Sequence, residues 1–207
     1  NNGTTDLLYA YASEEGKVSG NLPVAFIFRH TLSKVKFSFE NAYNASNATI
    51  KVRDVKITDA YKTGNVVLTD ATAWSTQYGK LELAFGNAVA DDATSTDALE
   101  FGLNTTLESY NELFMIPGEG PTLDGEKHTY TVTFTVDLLV SGTVVKSYDH
   151  TIYAVFAPEA GKSYDLKATI NAKNIDPKNE QEPIEFTVNT LPGWGTTNDQ
   201  NIKFATN

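Results

Sequence analysis

Lys127 to Val140 alternates apolar and polar residues over a longer span than any other part of the chain. Tyr130, Val132, Phe134, Val136 and Leu138 share one parity, and Thr131, Thr133 and Thr135 share the other. Side chains alternate faces along a β-strand, so this is the pattern of a strand with one buried side. Ser141-Gly142 then turns the chain, and Val144 to Phe156 returns as its antiparallel partner. The same period recurs in Val35, Phe37 and Phe39, in Leu81, Leu83 and Phe85, in Tyr164, Leu166, Ala168 and Ile170, and in Ile184, Phe186 and Val188. About eleven such runs follow one another at fairly regular spacing, and no stretch carries an amphipathic helical period. That profile predicts an all-β fold, an antiparallel β-sandwich, and argues against an α/β fold with crossover helices.

Irregularities in the pattern predict where strands bend or stop. Pro23 to Glu40 reads as two strands meeting at His30-Thr31-Leu32-Ser33, with Val24, Phe26, Phe28 and His30 on the buried face of the first. In the second, Lys34, Lys36, Ser38 and Glu40 face away from the core. The phase changes at the joint, which predicts a bulge or corner there. Thr49 to Thr58 slips by one residue at Arg53-Asp54, a second bulge signal. Thr63-Gly64-Asn65 reads as a turn and Val66 to Leu68 as a short buried run. Asp70 to Lys80 reads as irregular chain holding Trp74 and Tyr78. Asn87 to Leu107 reads as a long loop, or as one with a short hidden element. Pro117-Gly118-Glu119-Gly120-Pro121 stops the strand Leu113 to Ile116. Asp6 to Tyr11 reads as an edge strand and Ile202 to Phe204 as a terminal one. Asn174 to Pro183 is a charged, proline-flanked linker, but the chain after it is too short to fold alone, which predicts one domain over 23–207.

Charge and composition exclude several functions. The 207 residues carry 26 acidic and 16 basic side chains, a net charge of −10, which disfavours nucleic acid and basic-patch docking on an anionic membrane. There is no cysteine, so disulfides and thiolate metal sites are excluded. No apolar run is long enough for a membrane-spanning helix. The chain opens on Asn1-Asn2-Gly3, the expected start of a processed product or an excised piece.

Catalytic chemistry is hard to place. His30, His128 and His150 each stand alone, without a second ligand at metal-binding spacing; His128 and His150 end two runs that pair, which would let them approach. His30 falls on the apolar parity and reads as a corner or core histidine. Nucleophile-elbow, P-loop, zincin and dinucleotide motifs are all missing. A dispersed triad or carboxylate pair leaves no signature that singles out its members. The acidic loop Asp91 to Glu100 lacks the calcium-loop pattern and reads as a solvated loop. No cofactor is indicated. Trp74, Tyr78 and Trp194 are the aromatics in expected loops. Trp74 and Tyr78, side by side and facing solvent, would give a platform for sugar rings or a partner protein, or else lids over the sandwich end. The Asn-x-Ser/Thr triplets at Asn44, Asn47 and Asn104 carry no weight in a chain rich in these residues.

Phe28-Arg-His30-Thr-Leu32-Ser-Lys34-Val35 resembles a signature of the fimbrillin-like family of Bacteroides-type bacteria. Further segments resemble that family in the same order. They are Asp6-Leu-Leu-Tyr-Ala10, Leu113-Phe-Met-Ile-Pro117 (followed by Gly118 where the family often has Gln), Tyr164 to Ile170, and Pro183 to Val188 with Trp194 beyond. The resemblance implies a non-enzymatic sandwich of transthyretin-like or immunoglobulin-like topology, the second of two domains, with 1–22 as interdomain or edge-strand segment. It implies export as a lipoprotein precursor and a place at the outer membrane and cell surface in a fimbrium, as stalk, tip or anchor. Partners would be other fimbrial subunits or a host or bacterial surface receptor. Assembly would proceed by strand donation, because an open sheet edge leaves backbone groups that another strand can satisfy. The donor segments expected here are Leu7, Leu8 and Tyr9, or Ile202 and Phe204. The alternative reading is a carbohydrate-binding surface module using Trp74 and Tyr78.

Overall fold

The computed structural model describes residues 3–10, 26–67, 70–91, 93–175 and 182–192, with the backbone alone for 70–72. In chain order the strands are β1 (Leu8–Tyr9), β2 (Arg29–His30), β3 (Ser33–Asn41), β4 (Ala48–Val67), β5 (Asp70–Gly86), β6 (Ala88–Val89) and β7 (Thr106–Ser109). They continue as β8 (Leu113–Met115), β9 (Thr122–Asp124), β10 (Lys127–Val140), β11 (Thr143–Ala154) and β12 (Ser163–Ile170). One helical turn, α1 (Ala172–Ile175), then precedes β13 (Phe186–Leu191).

Two sheets make the sandwich. One runs β11-β10-β4-β5 with β9 also on β10; the other runs β13-β12-β3-β7-β6 with β8 also on β3. Their inner faces meet through aromatic side chains. Phe37 of β3 lies edge-on to Phe85 of β5 at 4.8 Å between centroids, and Phe39 of β3 lies 5.3 Å from Phe134 of β10. Phe186 of β13 joins this cluster, 6.0 Å from Phe134. Offset and edge-to-face pairs of this kind add to the stabilisation from burial, which is the main force joining two sheets. The inward parity of β10 is the one its alternation predicts: Tyr130, Val132, Phe134, Val136 and Leu138 are all buried. Ser141 and Gly142 both have positive φ, which is the backbone of a two-residue hairpin turn matched to the strand twist.

The predicted bulge at Arg53-Asp54 is present. Against β10, Lys56 pairs with Thr133 and Arg53 with Thr135, so Asp54 and Val55 together oppose one residue. Asp54 takes a φ of 58°, and the slip lets both Val52 and Val55 point inward.

Several expectations need correction. The expected antiparallel β-sandwich stands, with one exception among the described pairings: β12 runs parallel to β3, from Ser163 beside Lys34 to Ile170 beside Asn41. A parallel neighbour needs a long connection, and here all five strands of the other sheet are traversed between the two. Of the strand expected over residues 24–30, only Arg29 and His30 are paired; Phe28 is exposed and Val24 lies outside the described residues. Residues 70–80 are not irregular, and Gly64 is not a turn. Both belong to one long β4–β5 arm, in which Val67 is exposed. That arm has four register shifts, and bulges bend a hairpin. The 87–107 stretch is mostly loop, but it hides β6 and an isolated bridge between Phe101 and Ile50. The linker at 174–183 begins inside α1, where Asn174 and Ile175 are buried. Asn174 Nδ2 ties the return of the chain by donating to Glu182 O at 3.1 Å.

Candidate functional site

The segment His30-Thr31-Leu32-Ser33 is the junction of the molecule. Thr31, Leu32 and Ser33 are buried where three parts of the chain converge on them. From the N-terminal side, Thr31 N and Thr31 Oγ1 both donate to Leu7 O, at 3.0 and 2.9 Å. From the loop before β12, Gly161 N donates to Leu32 O at 2.9 Å, while Ser33 Oγ donates to Glu159 O at 2.8 Å. From the arm, Trp74 Nε1 donates to Thr31 O at 2.6 Å. The corner read from the sequence is therefore a hydrogen-bonded corner, which satisfies the backbone groups that a break between strands leaves over.

The N-terminal segment is clasped to this corner and joins neither sheet. Leu8 pairs with His30 and Tyr9 with Arg29, and that two-strand ribbon is all the ladder it has among the described residues. His30 Nδ1 lies 2.5 Å from Asp6 Oδ2, and Asp6 Oδ1 accepts from Leu7 N at 2.8 Å. Farther back, Phe114 N donates to Gly3 O at 2.7 Å. Leu7 and Leu8 of this segment, and Ile27 and Phe28 across from it, are large apolar residues left exposed. Asp6 is a partner of His30 that the sequence reading did not find. Asp6 precedes β1 and His30 ends β2, 24 residues apart, and no local spacing announces the pair.

The two aromatics expected as a contact surface both lie on β5, in different settings. The Trp74 ring is half-buried, stands over Gly64, and spends its N–H on the corner. Tyr78 is exposed, four residues on, and Gln77 between them donates to Pro117 O at 3.1 Å. Trp194, Ile202 and Phe204 lie outside the described residues.

His128, His150 and the part-buried carboxylates Asp137 and Asp165 sit in structural contacts. His150 is buried and stacks on Phe134 at 5.3 Å; its register partner on β10 is Phe134 itself, so it does not meet His128. His128 instead sits beside Gly120 O, 3.1 Å from its Nδ1. Burial holds the His150 imidazole below its ordinary value, with the Asp149 charge partly opposing. Burial would raise the Asp137 carboxyl, but hydrogen bonds from Arg53 and Ser147 outweigh it and hold Asp137 low. Burial raises the Asp165 carboxyl, although Ser38 Oγ donates to it at 2.7 Å. Lys36 and Glu108, 2.6 Å apart, pair beside it. Among the described residues no group of three or more His, Cys, Asp or Glu could hold a metal ion, and no helix is long and apolar enough to cross a membrane.

Open sheet edges are a further feature able to act on another molecule. Among the described residues β11 pairs only with β10, along twelve residues, and β13 pairs only with β12. Val144, Val145 and Tyr153 on β11, and Val155 just beyond it, are exposed.

The described residues thus form a two-sheet, nearly all-β sandwich with open edges and a short terminal ribbon outside both sheets. Residues 1–190 match the family model described as fimbrillin-like, and the chain belongs to that family. No curated protein matches it. Among solved structures it resembles a proposed cell adhesion protein of Parabacteroides distasonis ATCC 8503, at 10% identity and a TM-score of 0.52, over 82% of this chain and 54% of that one. It also resembles one from Bacteroides ovatus ATCC 8483, at 19% identity and a TM-score of 0.37, over 82% of this chain and 46% of that one. The chain thus spans about half the length of the structures it matches.

Proposed function

We propose that this chain is a non-enzymatic, adhesion-type structural component of a cell-surface fimbrium at the bacterial outer membrane, joined to neighbouring subunits by strand addition. In this reading 1–22 is the segment leading into the sandwich and 23–207 is the sandwich itself. Its partners are other fimbrial subunits, and a surface receptor if the chain stands at the tip. The observation that carries the reading is the N-terminal ribbon. Leu7, Leu8 and Tyr9 are extended, two of them exposed, and held to the body by a short clasp instead of a sheet. An extended apolar segment of this kind can complete an open edge such as β11, where main-chain hydrogen bonds supply affinity and alternate side chains supply specificity. Ile202 and Phe204 are the second donor segment under this proposal.

Fluorescent peptides covering Asp6 to Tyr11 and Ile202 to Asn207 test it when titrated into the full chain. One of them is expected to bind, slowly and with a gain in thermal stability, while its scrambled version does not. If neither binds, strand donation by these segments is wrong. A carbohydrate-binding reading through Trp74 and Tyr78 has the exposed Tyr78 in its favour. Against it, the Trp74 N–H is already committed to Thr31 O.

A further inference from the structure

The outer face of β3, β12 and β13 is not a flat polar surface. It sinks into a groove of about 730 Å³, closed at one end by α1 and the chain returning through Glu182 and Pro183. That volume lies within the range of about 300–1,000 Å³ usual for small-ligand sites. Its floor comes from the outward parity of the strands: Glu40 of β3, Lys167 and Thr169 of β12, and Thr187 and Asn189 of β13. Two ion pairs edge it, Lys167 with Glu40 at 2.7 Å and Lys173 with Glu182 at 3.2 Å. The end wall is pinned by its own hydrogen bonds, with Asn171 N donating to Asn174 Oδ1 at 2.9 Å and Lys173 N to Asn171 Oδ1 at 2.9 Å.

What remains open decides the ligand. Thr169, Thr187, Asn189 and Glu185 line the groove, and among the described residues their side chains carry no hydrogen bond or ion pair. They offer hydroxyl, amide and carboxylate groups, donors and acceptors together. Among the described residues no apolar side chain other than Pro183 lines the groove, so an apolar ligand finds little to rest on. An extended peptide finds no free backbone on the floor itself, since β12 and β3 are paired on both sides and the open edge of β13 lies at the rim. Among the described residues an anion meets three carboxylates, Glu40, Glu182 and Glu185, and finds the two lining lysines, Lys167 and Lys173, already paired. The carboxylates do not gather into a metal site among the described residues. A polyhydroxylated neutral ligand satisfies every one of these constraints.

We propose that this groove binds a neutral oligosaccharide, with Asn189, Thr187 and Glu185 hydrogen-bonding its hydroxyls. The site is separate from the Trp74–Tyr78 surface and independent of the assembly reading, so failure of either leaves the other standing.

Saturation-transfer NMR on the full chain, with maltotriose, chitotriose, mannotriose and 3′-sialyllactose at millimolar concentration, tests it. At least one neutral trisaccharide is expected to bind, and more tightly than the sialylated one. The double variant T187A/N189A removes two hydrogen bonds and is expected to weaken that binding about tenfold. Because both side chains are exposed, its melting temperature should stay at the parent value, and Tyr78→Ala should leave binding unchanged. The proposal is overturned if no neutral trisaccharide binds, if the sialylated one binds more tightly, or if binding survives T187A/N189A undiminished. Loss of binding in Tyr78→Ala alone would overturn it too, by moving the site to the arm.

Discussion

Trp74→Ala separates two roles for the most conspicuous aromatic of the arm. As a structural residue, Trp74 contributes through its ring and through one hydrogen bond. Truncating a fully buried Trp or Phe to Ala costs about 3–5 kcal/mol, and about half of that applies to a half-buried ring. Removing the indole N–H deprives Thr31 O of the donor at 2.6 Å, which adds about 1 kcal/mol. The sum is a loss of about 3 kcal/mol, or about 6–12 °C in melting temperature for a chain of this size. Trp74→Phe keeps most of the packing and loses the hydrogen bond, so it should cost about 1 kcal/mol. Urea denaturation followed by tyrosine fluorescence and circular dichroism reads both. If Trp74 were a ligand platform projecting into solvent, either substitution would change stability by less than about 0.5 kcal/mol. A parent-like midpoint in Trp74→Ala would therefore refute the corner-anchoring argument and restore Trp74 as a contact residue.

Gly120→Ala should abolish or severely weaken folding, because an added Cβ would lie 2.0 Å from the Thr129 carbonyl carbon, and main chain cannot step aside; soluble yield and circular dichroism check this, and a parent-like melt would contradict the close approach. His30→Ala should lower stability by about 1 kcal/mol through loss of the Asp6 pair while leaving any ligand binding intact; loss of binding at parent stability would show that His30 acts on a ligand. The pH dependence follows from His150, whose imidazole is held below its ordinary value by burial. The unfolded chain then takes up the proton before the folded one, so stability falls as pH drops through about 6.5 toward the lower folded value. His150→Phe, which keeps a ring against Phe134, should remove that part of the slope in urea midpoints measured between neutral and mildly acidic pH. An unchanged slope would place its origin elsewhere.

Period-two patterning carried the strands whose one face is fully buried. The inward set of β10 and the double-valine slip at Asp54 are legible because each residue's parity is fixed by the core. Parity says nothing about direction or neighbour, which is why the parallel pairing of β12 with β3 could not be read from it. The β4–β5 arm fails for a different reason. Beyond Ala60 its residues pack on a corner and on each other, not between two sheets, and repeated register shifts break the alternation. The Phe28 error has the same root: apolar residues alternate there, but the ribbon they belong to has no second layer to bury them. The groove was invisible for the opposite reason. Its floor is the outward parity of three good strands, which in sequence is indistinguishable from an ordinary solvated face, and its wall comes from a segment that reads as a linker.

The weight of the assembly proposal rests on how easily the N-terminal segment can leave. Its attachments include Gly3 O to Phe114, Leu7 O to Thr31 twice, the Asp6–His30 pair and a two-residue ladder. At about 1 kcal/mol net for each hydrogen bond, releasing these costs about 4–6 kcal/mol, and Leu7 and Leu8, being exposed, add little apolar burial, whereas Gly3 is buried beside Leu83 and Leu113. Releasing β3 instead would strip Phe37 and Phe39 from the core, at about 3–5 kcal/mol for each ring before any strand pairing is counted. The segment therefore opens locally, below the global unfolding energy, as terminal elements with few buried contacts do. Hydrogen exchange reads this directly. The amides of Thr31 and Phe114, whose acceptors are Leu7 O and Gly3 O, should exchange well before those of Phe37 and Phe39 at the centre of β3. If Thr31 and Phe114 exchange only with global unfolding, the segment is an integral part of the fold, and it cannot serve as a strand exchanged between subunits.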